Sequence, residues 1–176
     1  MNTPFLSNNY IQLHPYGIEH IEKTVEWLKQ PFIQQKFGTI EGISIEKHKD
    51  WLRQNQDTLK WALHAEQYIG NSFLFVNNKH HSAYFQIYLG DLKDTGKKLG
   101  YYATTLILDY AFKHLALHRV WLHCLPENLP AIKLYQRLGF VFEGLERESI
   151  FRSGTFITQG RWAILKPEWL ARNGAS

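Results

Sequence analysis

Cysteine is almost absent from this chain of 176 residues: Cys124 stands alone. A single cysteine excludes an intrachain disulfide and a thiolate metal cluster, and no His, Asp or Glu spacing suggests a metal. No apolar run approaches the roughly 18 residues that a membrane-spanning helix needs. The opening MNTPFLSNNY has neither the basic nor the apolar region of a secretory leader. A cytoplasmic protein without a membrane partner is the expectation. Repeats, low-complexity tracts and linkers are also missing, so residues 1–176 read as a single domain. Charge of one sign is scarce too, with 20 Lys and Arg against 16 Asp and Glu. A net +4 suits an anionic small ligand and is too weak to argue for nucleic acid.

Aromatic residues, by contrast, are plentiful at 15%, with six Trp. The periodicities predict a short strand over 10–13, then a helix from Ile18 through Leu28 that stops before Pro31. Ser44 is a good N-cap for a second helix carrying Ile45, His48 and Leu52 on one side. Strands follow over 59–65, 69–76 and 83–89, separated by turn chemistry at Glu66-Gln67 and Asn77-Asn78-Lys79-His80. Ala103, Leu106, Ile107, Tyr110 and Ala111 give the clearest helix signal, over 101–116. A strand over 119–125 leads to Asn128, a capping residue, with Pro130 in the tolerated first turn and Gly139 at the helix end. A hairpin over 143–151 and 155–165 closes the pattern. The order predicts a mixed sheet with helices on its faces, an α/β or α+β domain.

Between the strand at 83–89 and the strong helix lies LGDLKDTGKKLGYYATT. Helix N-termini carry unpaired N–H groups and roughly half a positive charge, which a glycine-bearing turn can bring around a phosphate. Gly96 and Gly100 permit close approach, and Lys93, Lys97 and Lys98 add charge. Neither GxxxxGK[ST] nor GxGxxG is present, which counts against nucleotide hydrolysis and a dinucleotide fold. On its own the stretch reads equally as an anion cradle or as a solvated basic turn.

Residues 118–140, HRVWLHCLPENLPAIKLYQRLGF, add the second piece. A strand, a turn ending at Asn128, then Ala131-Ile132, Leu134-Tyr135 and Leu138-Gly139-Phe140 resemble the GNAT superfamily of acyl-CoA-dependent N-acetyltransferases. The resemblance extends over nearly the whole chain, from IQLHPYGIEHIEKTVEWLKQ to GLERESIFRSGTFITQGRWAIL. It implies a mostly antiparallel, splayed sheet with helices on both faces, and acetyl-CoA as co-substrate. The family's pyrophosphate loop, Gln/Arg-x-x-Gly-x-Gly/Ala, falls on Thr95, Gly96, Lys97, Lys98, Leu99 and Gly100. Only the last glycine matches; Thr95 stands for the Gln or Arg and Lys98 for the first Gly.

The resemblance also implies roles. Tyr135 occupies the place of the tyrosine that protonates the CoA sulfur, although any Tyr on such a helix face also suits a core. His123, five residues before Asn128, stands where some relatives carry the Glu that takes the acceptor's proton. Its unperturbed pKa of about 6.5 suits that task, and a satisfied polar residue is the other reading. Alternation places His123 with Trp121, away from Leu122 and Cys124, so Cys124 is no nucleophile. Ile87, Tyr88 and Leu89 are expected to pair with the pantetheine arm, with Asn128 and Arg137 as further cofactor contacts. His80, His81, Trp27 and Phe37 are candidates for the acceptor side, although two histidines so placed are more often plain surface residues.

Three subgroups resemble the chain: those acetylating amino-sugar nucleotides, ribosomal-protein N-termini and spermidine. Glu19, Glu22 and Glu26 read as a solvated helix face rather than a polyamine site. Trp27, Phe32, Phe37, Trp51, Trp61 and Tyr84 suit stacking on a base or sugar, with cations for the diphosphate. A nucleotide-linked amino sugar is therefore the expected acceptor. Polyamine or protein N-terminal acetylation, and acyl-CoA binding without transfer, are the alternatives. Family members often dimerise, which leaves a homodimer open.

Overall fold

The computed structural model describes residues 2–36 and 42–174. These form two compact units: residues up to Val76 together with Gln86–Ile107, and Asn77–Phe85 together with the chain from Leu108 onward.

The first unit opens with β1 (Leu6–Ser7) and β2 (Gln12–Pro15). β2 starts two residues later than the sequence pattern predicts. The reason is local: Asn8 Oδ1 accepts from the N–H groups of Tyr10 (2.9 Å) and Ile11 (3.1 Å), an Asx turn that holds this stretch out of the ladder. A 3₁₀ turn (Ile18–His20) runs into α1 (Ile21–Leu28), followed by α2 (Pro31–Lys36) and α3 (Ile45–Gln54). α1 stops before Pro31 as expected, and Pro31 opens the unanticipated α2, where its fixed φ and missing N–H suit a first helical position. Ser44 caps α3 as expected, its Oγ accepting from Lys47 N at 3.2 Å.

β3 (Leu59–His64) and β4 (Tyr68–Asn77) follow, and β1-β2-β3-β4 pair antiparallel in that order. The second half of β5 (Ser82–Leu89) neighbours β4. α4 (Leu99–Asp109) comes next. Gly70 on β4 is required by close approach: a Cβ there would lie 2.2 Å from the carbonyl oxygen of Tyr88. Lys60 on β3 is buried, and its Nζ donates to the carbonyls of Asn55 and Thr58, tying the end of α3 to the sheet.

A chain of buried hydrogen bonds crosses this unit. Asn71 Nδ2 donates to Thr24 Oγ1 (2.9 Å) and Tyr88 Oη (2.7 Å), and Tyr68 Oη donates to Asn71 Oδ1 at 2.7 Å. Tyr16 Oη donates to Thr24 Oγ1 at 2.8 Å and lies 3.0 Å from His48 Nε2. Because Tyr68 gives its one proton to Asn71, the 2.8 Å contact between Thr24 and Tyr68 uses the threonine proton. Tyr16's proton is likewise committed, so His48 must donate from Nε2. Burial holds the His48 pKa down to about 4, in keeping with a neutral ring.

The second unit holds the first half of β5, a π-helical turn (Tyr110–His114) that extends α4, and β6 (Arg119–Cys124). α5 (Leu129–Leu138), β7 (Val141–Arg152), β8 (Thr155–Leu165) and α6 (Lys166–Asn173) complete it. The strand order is β5-β6-β8-β7. β6 runs parallel to β5 over Ser82–Tyr84 and antiparallel to β8, which is antiparallel to β7. The eight strands are thus mixed, as the element order predicts, and mostly antiparallel, as the family resemblance implies. α6 was not anticipated; Trp169 anchors it, fully buried, with Nε1 donating to Asp109 Oδ1 at 2.9 Å.

α5 ends as expected, with Gly139 at φ 96° and Phe140 N donating to the Tyr135 carbonyl at 2.9 Å. Its start differs. Asn128 occupies the N-cap place, but its side chain makes no capping bond; the backbone carbonyl alone accepts, from Ile132 N at 3.0 Å. Among the described residues, no helix is long and apolar enough to cross a membrane.

His48 supplies a test by pH. Between about 6.5 and about 4 the unfolded chain binds a proton on His48 that the folded chain refuses, so stability falls as pH drops through that window. The His48 share is on the order of 2 kcal/mol. His48→Gln keeps a donor for Tyr16 but cannot titrate. Urea unfolding at pH 7 and pH 4.5 is expected to show a smaller acid loss in the variant; an equal loss would refute the assignment.

Candidate functional site

The first unit presents a backbone cradle. After β5, Gly90 N donates to the Ile69 carbonyl at 2.8 Å, and Leu92–Asp94 makes a 3₁₀ turn. Thr95 closes that turn with both N (3.0 Å) and Oγ1 (2.6 Å) on the Leu92 carbonyl. The Thr95 hydroxyl is therefore engaged within the loop. Gly96 (φ 79°) and Lys98 (φ 61°) are both left-handed, on either side of Lys97. Lys98 thus keeps the conformation for which glycine is the ordinary residue, at the place where the family pattern has one.

α4 begins at Leu99, and its first closing bond runs from Tyr102 N to the Lys98 carbonyl at 3.1 Å. The N–H groups of Leu99 and Gly100 precede that bond and are orphan donors of the helix end. With two left-handed turns before them they form a concave array of amides suited to phosphate oxygens. Lys97 Nζ pairs with Asp94 Oδ1 at 3.3 Å, whereas the exposed Lys98 ammonium has no ion-pair partner among the described residues. This donor set fits the pyrophosphate of CoA.

On the strand before the loop, Ile87 and Leu89 are half-buried. The Tyr88 side chain faces the buried network through Asn71, so its hydroxyl belongs to the core. Trp27 is 0% exposed, against Tyr68 at 4.7 Å between ring centroids and so close to Gly90 that a Cβ there would overlap its ring. Its place among acceptor contacts is corrected: it packs the core. Trp61 is equally buried, its Nε1 donating to the Pro4 carbonyl at 2.8 Å. Phe37 lies outside the described residues.

The second unit gathers a different set. β6 alternates as expected, with Val120, Leu122 and Cys124 buried and Arg119, Trp121 and His123 facing the other way. Cys124 is inert: burial pushes its thiol up to about 12. His123 is ringed by Trp121 (5.2 Å between centroids) and Tyr84 (5.6 Å). Two further residues join it that the sequence pattern did not indicate. Glu146 Oε2 lies 2.9 Å from His123 Nε2, and Glu146 Oε1 lies 2.9 Å from Arg161 Nη2. Arg161 also stacks over Trp121, 4.7 Å from its ring centroid. The linear signal for Glu146 is Gly144, a glycine within a strand, which marks a bulge.

Tyr135 is buried on α5, its ring edge-on to Phe140 at 5.5 Å. Burial, then the neighbouring Cys124 and Tyr84, raises its pKa well above that of an ordinary phenol, so the hydroxyl stays protonated. Asn128 is half-buried with its amide not spent on capping, and Arg137 is exposed. His80 and His81 are exposed and precede β5. The His81 carbonyl accepts from His118 N (2.7 Å) and Arg119 N (3.3 Å), at the start of β6. That is the opposite end of β6 from His123, roughly 13 Å along a strand; both are exposed turn residues. Among the described residues, no group of three or more His, Cys, Asp and Glu could hold a metal.

A glycine-bearing turn that opens a helix with its first amides unpaired is the kind of loop that holds phosphate in acyl-CoA transferases. The chain belongs to the GNAT acetyltransferase family: the sequence model of the acetyltransferase (GNAT) domain matches residues 11–141. Its relatives include the spermidine N(1)-acetyltransferase of Vibrio cholerae serotype O1, 40% identical over 101 residues, 56% of each chain. That of Escherichia coli K12 is 34% identical over 98 residues, 56% of this chain and 52% of the other. These alignments thus span about half the length of the curated relatives. A solved structure of Vibrio cholerae spermidine N-acetyltransferase in complex with CoA and spermine superposes with a TM-score of 0.84 at 25% identity. It covers 93% of this chain and 99% of that one.

The left-handed Lys98 gives a test of the cradle. A β-branched residue tolerates that conformation poorly. Lys98→Val is expected to cost about 1–2 kcal/mol in urea unfolding and to weaken CoA in isothermal titration. Lys98→Gly, which fits the backbone, is expected to leave stability unchanged or raised. Equal behaviour of the two variants would show that the φ at this position is not maintained.

Proposed function

We propose that this protein transfers the acetyl group of acetyl-CoA to a primary amine of a small polyamine such as spermidine. The observation that carries the reading is Tyr135: a hydroxyl kept protonated by burial, on the family's general-acid helix. Acetyl-CoA would supply the activated acetyl thioester, held at its pyrophosphate by the amides of Leu99 and Gly100 with Lys98 beside them. Tyr135 holds a proton at Oη for the leaving sulfur. His123 takes the proton that the acceptor's ammonium must lose before its nitrogen can attack. Asn128, with its amide uncommitted to the helix cap, and Arg137 are the further cofactor contacts of this reading.

The acceptor differs from the one expected from composition. The likeness to spermidine N-acetyltransferases supports a polyamine, while the aromatic wealth that favoured a sugar nucleotide includes Trp27 and Trp61, both packed in the core. Against acyl-CoA binding without transfer, the reading is supported by the left-handed Lys98, which keeps the loop conformation that the departures from the family pattern put in question.

A thiol-release assay over spermidine, N-terminal peptides and UDP- or dTDP-amino sugars decides the acceptor, with spermidine expected to turn over fastest. Absence of CoA binding at millimolar concentration would sink the enzymatic reading altogether. Tyr135→Phe is expected to lower turnover by roughly tenfold to a hundredfold with CoA affinity unchanged; undiminished turnover would refute the acid role.

A further inference from the structure

Three neighbouring strands bring His123, Arg161 and Glu146 together by register. His123 on β6 is directly opposite Arg161 on β8, and opposite residues share a face. Glu146 on β7 is opposite Gln159, two residues from Arg161 and hence on the same face. It gains that face through an irregularity. Val141 is opposite Ala163 and Phe142 opposite Trp162, but Gly144, not Glu143, is opposite Arg161. In an unbroken strand Val141 and Glu146 would point to opposite sides; the extra residue at Glu143 turns Glu146 toward His123. Gly144 sits at φ 135°, a conformation that glycine alone adopts readily.

The carboxylate is divided between two partners. Oε1 faces Arg161 and Oε2 faces His123, whose side chain is only 16% exposed. His123 Nε2 is buried, and its 2.9 Å approach to Oε2 is off the line of a hydrogen bond. At that separation two lone pairs repel, so the ring proton belongs on Nε2. Nδ1 has no hydrogen-bond partner among the described residues. Arg161 is itself fixed, stacked on Trp121, so the carboxylate cannot swing away without losing a charged partner.

We propose that Glu146, anchored by Arg161, is a positioning residue that holds neutral His123 as the Nε2–H tautomer and so makes Nδ1 the atom that accepts the acceptor amine's proton. In that step the ammonium N–H bond breaks, an Nδ1–H bond forms, and the imidazolium produced is matched by the Glu146 carboxylate. The inference rests on His123 as the base in the proposed transfer.

Long-range ¹H–¹⁵N spectra of the histidine rings read the tautomer without an acceptor. Wild-type His123 is expected to carry its proton on Nε2, and Glu146→Gln, whose amide can donate or accept, is expected to show both tautomers. A wild-type Nδ1–H ring, or identical spectra in the two proteins, overturns the proposal. With spermidine as acceptor, Glu146→Gln is expected to lower kcat roughly tenfold to a hundredfold, with the KM for acetyl-CoA unmoved and Glu146→Asp partly rescuing. In a His123→Ala background the same change is expected to cost nothing further. An undiminished additional loss there overturns the positioning role while leaving His123 as base. Full turnover of His123→Ala overturns the base reading and the proposal with it, and no turnover of wild type on spermidine faults the acceptor alone, the spectra still deciding on Glu146.

Discussion

The period of two along β6 is the constraint on which the second unit's chemistry depends. Val120, Leu122 and Cys124 are drawn into the core, and each residue so buried forces its neighbour to the other side. Arg119, Trp121 and His123 therefore form a row with no freedom to choose their face. β8 meets that row in register, bringing Arg161 beside His123, and the rings of Trp121 and Tyr84 enclose the imidazole. Hydrophobic burial on one side of a strand thus aligns polar groups on the other, with Arg119 bound to Glu143 and Arg161 to Glu146.

In the first unit backbone conformation, more than side-chain identity, makes the ligand-facing surface. The loop after β5 departs from its family pattern at two residues, yet its left-handed turns at Gly96 and Lys98 survive. Every residue except proline has an N–H to offer, so a lysine supplies the same amide as a glycine once the dihedral is met. Behind the loop, Asn71 fixes Tyr88 on β5 and Thr24 on α1 through one amide group. Such a fully satisfied buried network fixes the geometry of the elements it joins.

Much of this was legible before any coordinates. The helix from Asn128 to Gly139, the cap at Ser44, the alternation of β6 and the loop before α4 all follow from local spacing, because caps and periodicities are set by neighbouring residues. What failed to read out depends on distant residues. A tryptophan in a helix looks the same whether it lines a cleft or fills a core, and only the packing of Gly90 against it assigns Trp27 to the latter. The turn at Asn8 delayed a strand by a side-chain bond that residue counting does not weigh. Glu146 was hidden most completely, since its face is decided by a bulge whose position depends on β8.

That bulge, and the second irregularity between Glu146 and Ile150, also governs how the molecule behaves among its own copies. β7 is the last strand in its order, and a long, regular last strand is a template onto which further chains can add. Val141, Leu145 and Phe151 on it are exposed apolar residues, the kind that would reward such addition. Two interruptions within twelve residues divide β7 into shorter regular pieces, a poorer template for continuous pairing. The kink that aims a carboxylate at a histidine is therefore also the kind of irregularity by which last strands discourage edge-to-edge addition.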